Sequence, residues 1–166
     1  MKTMRFLALA ALLVALPLSA QTYDWSSTGS TGNFDYASTY KYSTTGPTVK
    51  FGPFQSGPIN FRYPVTNTYS TGSGSVPGWT TLHATFTDDS ASGSVTITLY
   101  RVDKCDFSET QLCSITSSDG ANAPVCDTCT FNSTDVDFAN YYYYVLVTLN
   151  RSNTTANEQI HQVAIN

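Results

Sequence analysis

The stretch that decides the fold is NYYYYVLVTLNR, residues 140–151. Laid out as a strand, it alternates its side chains between two faces. Tyr141, Tyr143, Val145, Val147 and Leu149 fall on one face, and Tyr142, Tyr144, Leu146, Thr148 and Asn150 on the other. The first face is continuously apolar and reads as core. The second mixes aromatic and polar groups and reads as half covered. That is the pattern of a central strand in a two-sheet sandwich.

The segments around it agree. Residues 80–87, TTLHATFT, put Leu82, Ala84 and Phe86 on one face and Thr81, His83, Thr85 and Thr87 on the other. Such clean alternation marks a strand with one dry and one wet side. Residues 94–102, SVTITLYRV, repeat it with Val95, Ile97 and Leu99 inward. Further short strands are expected at 48–54, 59–65, 111–117, 130–132, 136–138 and 159–165, separated by runs of Gly, Asn, Asp, Ser and Pro. Residues 117–129 read as a turn-rich connection. No amphipathic helix and no repeat of fixed period is evident. Many short strands with turn signals between them indicate an all-β antiparallel Greek-key or jelly-roll sandwich.

Three segments organise the 166 residues. Residues 1–20 begin with Lys2 and Arg5, continue as a short apolar run and end in Leu18-Ser19-Ala20. This is the layout of a secretory signal peptide, too short in its apolar part to span a membrane, and cleavage is expected after Ala20. Residues 21–47 are rich in Ser, Thr, Gly and Tyr and nearly free of aliphatic residues, so they form either an ordered aromatic strand or a mobile arm. Residues 48–166 form the sandwich. The location implied is secreted, extracellular or periplasmic.

Residues 137–143, DFANYYY, have the form D-x-A-x-Y-x-Y. They resemble the tyrosine-corner segment of immunoglobulin-like sandwiches, whose pattern is D-x-G/A-x-Y-x-C. The resemblance implies that Tyr141 is the corner tyrosine, with its hydroxyl bonded back to the chain. Tyr143 stands where that family has its second Cys, so the family's inter-sheet disulfide would be missing. Similar Y-x-Y-x-V strands occur in exported jelly rolls, and the resemblance supports a Greek-key sandwich and nothing finer.

Composition narrows the function. The chain has 8 basic and 12 acidic residues, a formal net charge of −4. Without Lys2 and Arg5 the balance becomes more acidic still. Phosphate backbones need clustered Lys and Arg, so nucleic acid is not an expected partner, nor is membrane insertion once the leader is removed. All four cysteines follow the leader. In an exported chain this implies two disulfides, and spacing suggests Cys105 with Cys113 across a hairpin and Cys126 with Cys129 within CDTC. The CDTC pair is followed by Thr130, which excludes haem attachment, and it has no helix beside it for thioredoxin-type chemistry.

No catalytic constellation is visible. His83 and His161 lie in no triad or zinc pattern. The carboxylates Asp88, Asp89, Asp103, Asp106, Glu109, Asp119, Asp127, Asp135 and Asp137 are scattered, and no pair stands out as a glycosidase pair. Asp88 with Asp89, or Asp135 with Asp137, could hold Ca²⁺, which favours oxygen ligands, but a solvated loop is the favoured reading. No other cofactor is indicated. The sequons at Asn132, Asn150 and Asn153 mark exposed loops.

The expectation is a secreted, non-catalytic sandwich that acts by surface interaction or self-assembly with a protein partner. The alternative is a carbohydrate-binding, lectin-like module that stacks sugars on Trp79, Tyr142 or Tyr144, with Trp25 as a further aromatic in the polar arm. A small glycan hydrolase or lyase is a third reading.

Overall fold

The computed structural model describes residues 24–67, 76–118 and 121–166. The expected leader and Asp119 lie outside them. Among the described residues eleven strands form two antiparallel sheets. The strands are β1 (Trp25–Thr28), β2 (Asn33–Phe34), β3 (Tyr42–Thr45), β4 (Thr48–Phe51), β5 (Gly57–Val65), β6 (Thr81–Asp88), β7 (Gly93–Asp103), β8 (Glu109–Thr116), β9 (Ala121–Thr130), β10 (Tyr141–Arg151) and β11 (Gln159–Ile165).

The five-stranded sheet has the order β2-β5-β10-β7-β8. Its middle strand is the tyrosine-rich β10, paired along its length with β7 and over most of it with β5. Tyr143, Val145, Val147 and Leu149 are buried in the core, as the alternation requires, while Tyr142 on the other face is exposed. The six-stranded sheet runs β3-β4-β11-β6-β9, with β1 added beside β11. Its inward residues Val49, Leu82, Ala84, Phe86, Val163 and Ile165 supply the facing half of the core. Both β1 and β4 lie along β11, one after the other, and a bulge between Ile160 and Gln162 separates their registers.

From Trp25 on, the polar N-terminal segment is part of the sandwich and not an arm beside it. Its strands pair with β11, β5 and β4 in turn, so it contributes to both sheets. Its apolar content is aromatic. Trp25 is buried, and Phe34 stacks on Tyr42 with ring centroids 3.5 Å apart and also meets Phe61. Aromatic rings bury large areas without aliphatic help. Gly29 makes the crossing workable: a Cβ there would stand 2.3 Å from the Ile160 carbonyl oxygen. Instead the Gly29 carbonyl accepts the buried Tyr63 hydroxyl at 2.6 Å.

Two further differences from the sequence reading have physical causes. Residues 121–130 form β9, where a turn was expected. β9 is an edge strand that pairs only with β6, so its exposed positions carry Asn122, Pro124 and Asp127. Pro and charge on an edge strand discourage pairing with other chains, and they also disguise the strand. Residues 133–135 form a 3-10 turn between β9 and β10, and residues 136–138 form no strand.

The tyrosine corner is shifted. The Tyr143 hydroxyl donates to the Asp135 carbonyl at 2.9 Å and accepts the Asp137 N–H at 2.6 Å. Its burial pushes the phenol up to about 12. Tyr141 carries instead the guanidinium of Arg101, 4.6 Å from its ring centroid. With the corner displaced by two residues and eleven strands in place of seven or nine, the architecture is a sandwich without the specific immunoglobulin assignment.

Cysteine pairing also differs. Cys113 on β8 is bonded to Cys129 on β9, with the Cα atoms 5.9 Å apart. Cys105 and Cys126 are exposed free thiols. Each sheet contributes one edge strand to this bond, which joins the two layers along one side. Spacing in the sequence favoured local pairs. Cys126 and Cys129, however, lie on one extended strand and point to opposite faces, and Cys105 sits in the β7–β8 turn, away from Cys113 on the strand.

Candidate functional site

The outer face of the five-stranded sheet carries the tyrosines. Tyr142, near the start of β10, is 58% exposed, and the Lys104 ammonium lies 5.0 Å from its ring centroid. Lys104 is itself fixed by donating to the carbonyls of Phe138 at 2.7 Å and Ala139 at 3.0 Å. One row further along, Tyr144 stands directly opposite Tyr100 of β7. The two rings stack at 5.2 Å with 19° between their planes. The Arg62 guanidinium from β5 sits 5.6 Å from the other side of this pair, at the Tyr144 centroid, and is ion-paired to Asp35. Burial, and then the Glu109 carboxylate, raise the Tyr144 phenol above its ordinary value.

The geometry separates the two tyrosines in role. Tyr144 has Tyr100 on one side and Arg62 near the other, so it forms a fixed wall and offers a ligand little open ring. Among the described residues Tyr142 has Lys104 over its ring but no aromatic neighbour, and it is the more exposed of the two. Beyond the wall the next row runs Arg62, Leu146, Thr98 and Ser114, and the row after it holds Asn60, Thr148 and Thr96. Thr98 bonds the Ser114 hydroxyl at 2.9 Å, and Thr148 donates to the Asn60 side-chain oxygen at 2.9 Å. The face therefore offers one exposed aromatic residue, a stacked pair and several hydroxyl and amide groups, all on paired strands.

Trp79 does not belong to this surface. It is 1% exposed and packs edge-on against Phe138 at 5.6 Å, which in turn meets Tyr143. The chain before β6 is pinned by the Thr80 and Thr81 N–H groups, which donate to the Asn166 carbonyl. That turns the indole inward. Trp25 is core as well.

The remaining polar residues have structural occupations. His161 bonds the Thr48 and Thr87 hydroxyls through its two ring nitrogens, each at 2.9 Å, and burial holds its imidazole below the ordinary range. His83 bonds the Asn166 side chain at 2.8 Å. Asp88 accepts the Ser117 hydroxyl, and Asp89 accepts the Asn157 N–H at 2.8 Å. Asp135 pairs with Arg101, and Asp137 caps Ala139 and Asn140. Among the described residues, no group of three or more His, Cys, Asp or Glu is arranged to hold a metal ion.

A second concave region was not foreseen from the sequence. A cleft of about 640 Å³ opens between β3, β4, the β4–β5 turn, the end of β10 at Arg151 and the β10–β11 loop. Arg151 holds both rims. Its guanidinium donates to the carbonyls of Gly52 at 3.0 Å, Gln55 at 2.7 Å and Ala156 at 2.8 Å, and lies 4.3 Å from the Phe51 ring centroid. The one sequence signal for it is GPFQ, residues 52–55, a Pro-containing turn that presents an aromatic residue.

No protein-family model matches the chain, and no curated protein matches it. Solved structures do. TmCBM61, solved in complex with β-1,4-galactotriose, aligns over 81% of this chain and 86% of its own at 12% identity, with a TM-score of 0.47. The xylan-binding module CBM15 aligns over 81% and 87% at 16% identity, with a TM-score of 0.45. Xylanase10C from Cellvibrio japonicus, in complex with xylopentaose, aligns over 81% of this chain but 26% of its own, at 16% identity and a TM-score of 0.42. The sandwich assignment rests on the strand pairing within this chain, and these distant likenesses carry no argument about its ligand.

Proposed function

We propose that this protein is an exported, non-catalytic β-sandwich that binds carbohydrate on the outer face of its five-stranded sheet. The observation that carries the reading is Tyr142, an exposed aromatic residue on a central strand with Lys104 over its ring, beside the Tyr100–Tyr144 stack and the hydroxyl and amide side chains of Ser114, Thr148 and Asn60. Sugar rings bury their C–H faces on aromatic rings while their hydroxyls find polar partners at the rim. A side chain mounted on a paired strand is held in place before the ligand arrives, which reduces the ordering cost of binding. The Cys113–Cys129 bond is in keeping with an oxidising compartment.

Two competing readings lose support. Assembly through a donated N-terminal arm would need a segment free to pair elsewhere, whereas residues 25–45 pair within their own chain. Glycan hydrolysis would need accessible carboxylates at a site. Asp88 and Glu158 are buried, Asp135 and Asp137 are engaged in the corner turn, and the exposed Glu109 at the tyrosine face is hydrogen-bonded to the Tyr144 side chain. Binding of the oxidised protein to a panel of polysaccharides tests the proposal. Retention on at least one, weakened by Tyr142→Ala and unaffected by Val76→Ala at an exposed position elsewhere, is expected. Failure to bind any would refute it.

A further inference from the structure

We infer that the cleft held open by Arg151 is a second, separate binding site, and that it takes an acidic sugar, a pyranose ring bearing a carboxylate. Four observations converge on it. The first is Phe54. Gly52, Pro53, Phe54 and Gln55 form a turn closed by the Gln55 N–H on the Gly52 carbonyl at 3.4 Å, with Phe54 at φ 59°. Pro at the second position and a left-handed third position are the type II pattern, in which the third position normally belongs to Gly or Asn. A Phe there is held in unfavourable backbone with its ring 90% exposed. Backbone strain that persists in this way is characteristic of ligand-contacting positions.

The second observation is charge. Lys50 lines the cleft, and among the described residues its ammonium has no hydrogen-bond or ion-pair partner. No carboxylate lines the cleft, in a chain whose net charge is −4. The third is the rest of the lining. Ser43, Thr154, Thr155 and Asn157 offer hydroxyls and an amide, the groups that pair with sugar hydroxyls. The fourth is rigidity. Arg151 is only 6% exposed and spends its donors on three carbonyls of the two rims, so it fixes the walls and is not itself available to the ligand. An aromatic ring for a C–H face, one free cation for one carboxylate and several neutral donors describe a hexuronate more closely than a neutral sugar or a phosphate.

The residues that line the cleft include none of Tyr100, Tyr142 and Tyr144, which make up the tyrosine face. The proposal therefore stands or falls independently of the one above. The test is titration of the oxidised protein with a short oligogalacturonate and with its carboxyl-reduced, neutral counterpart, followed by calorimetry and by backbone amide shifts. The acidic oligomer is expected to move the signals of Lys50, Phe54 and Asn157 and to bind at least about fivefold more tightly than the neutral one. That preference should fade as salt is added. Lys50→Gln removes the preference but leaves the weaker neutral binding, Phe54→Ala weakens both, and Tyr142→Ala changes neither. Both cleft residues are at the surface, so unchanged melting curves will separate lost binding from lost fold. Absence of oligogalacturonate binding would overturn the proposal. So would binding that survives both Lys50→Gln and Phe54→Ala, or that disappears with Tyr142→Ala.

Discussion

Replacing Glu158 with Gln should make the protein more stable in alkaline solution and leave it unchanged in acid. Glu158 is fully buried at the start of β11, and neither of its carboxylate oxygens has a hydrogen-bond partner. Burial is the main reason its carboxyl is pushed up to about 7, and the nearby Asp88 and Asp89 add to it while Arg151 opposes it. A carboxyl whose folded value lies above its unfolded one favours folding below the unfolded value, and that advantage is lost as pH rises through the folded value. Relative to the ordinary 4.5, the displacement to about 7 corresponds to about 3 kcal/mol at about 1.4 kcal/mol per tenfold change in proton affinity. The loss develops between the two values and is complete above the upper one. Gln is neutral throughout and has nearly the same shape. Shape matters here, because a Cβ on Gly93 would meet the Glu158 Oε1 at 1.6 Å, so there is no slack. Arg151 keeps its three carbonyl partners after the change. Urea unfolding of both proteins across this pH range is the assay. The difference between them reports Glu158 together with its coupling to Asp88, Asp89 and Arg151, and cancels the titrating groups that do not interact with it. It should be near zero at pH about 4.5 and grow toward about 3 kcal/mol in favour of Glu158→Gln at pH about 8.5. A difference that is flat with pH, or that favours the wild type at alkaline pH, would refute the reasoning.

Three more outcomes are expected. Tyr143→Phe removes the two hydrogen bonds that hold the β10 corner and should cost about 1–3 kcal/mol in thermal unfolding, whereas Tyr141→Phe should cost less than about 0.5 kcal/mol. Alkylation of the native, oxidised protein should label Cys105 and Cys126 and leave Cys113 linked to Cys129 in the peptide map; reduction of that bond, which closes a loop with a sequence separation of 16, should lower stability by about 3 kcal/mol. Phe54→Asn relieves the left-handed backbone of the β4–β5 turn and should stabilise the fold by about 1 kcal/mol in denaturant unfolding while weakening acidic-sugar binding.

Much of the architecture was legible where alternation was regular. β6, β7 and β10 show a two-residue period because each has one face in the core, β11 shows it on either side of its bulge, and the expected strands fall within about two residues of those formed. What could not be read has specific causes. β9 carries Pro124 and Asp127 because an edge must resist pairing, and those residues imitate a turn. The N-terminal segment was judged by its lack of aliphatic residues, although Trp25, Phe34 and Tyr42 anchor it. The disulfide joins residues brought together only when two sheets stack, so chain spacing pointed elsewhere. The corner tyrosine is decided by where the hydroxyl reaches, and a pattern resemblance two residues out of register could not show that. Of the aromatic candidates, Tyr142 was legible because strand parity places it outward. Trp79, beside Pro77 and Gly78, was a stacking candidate for which ordinary packing was the favoured reading, and the chain turns it under Phe138. The cleft was invisible because its walls come from segments roughly a hundred residues apart that are brought together by Arg151 and by the β4–β11 pairing.

The central claim is that the tyrosine face binds glycan, and affinity electrophoresis through gels containing single polysaccharides tests it most directly. The wild-type protein should be retarded by at least one neutral polysaccharide, Tyr142→Ala should run free in that gel, and Lys50→Gln should be retarded like the wild type. Equal retardation of Tyr142→Ala and the wild type, or no retardation in any gel, would contradict the account.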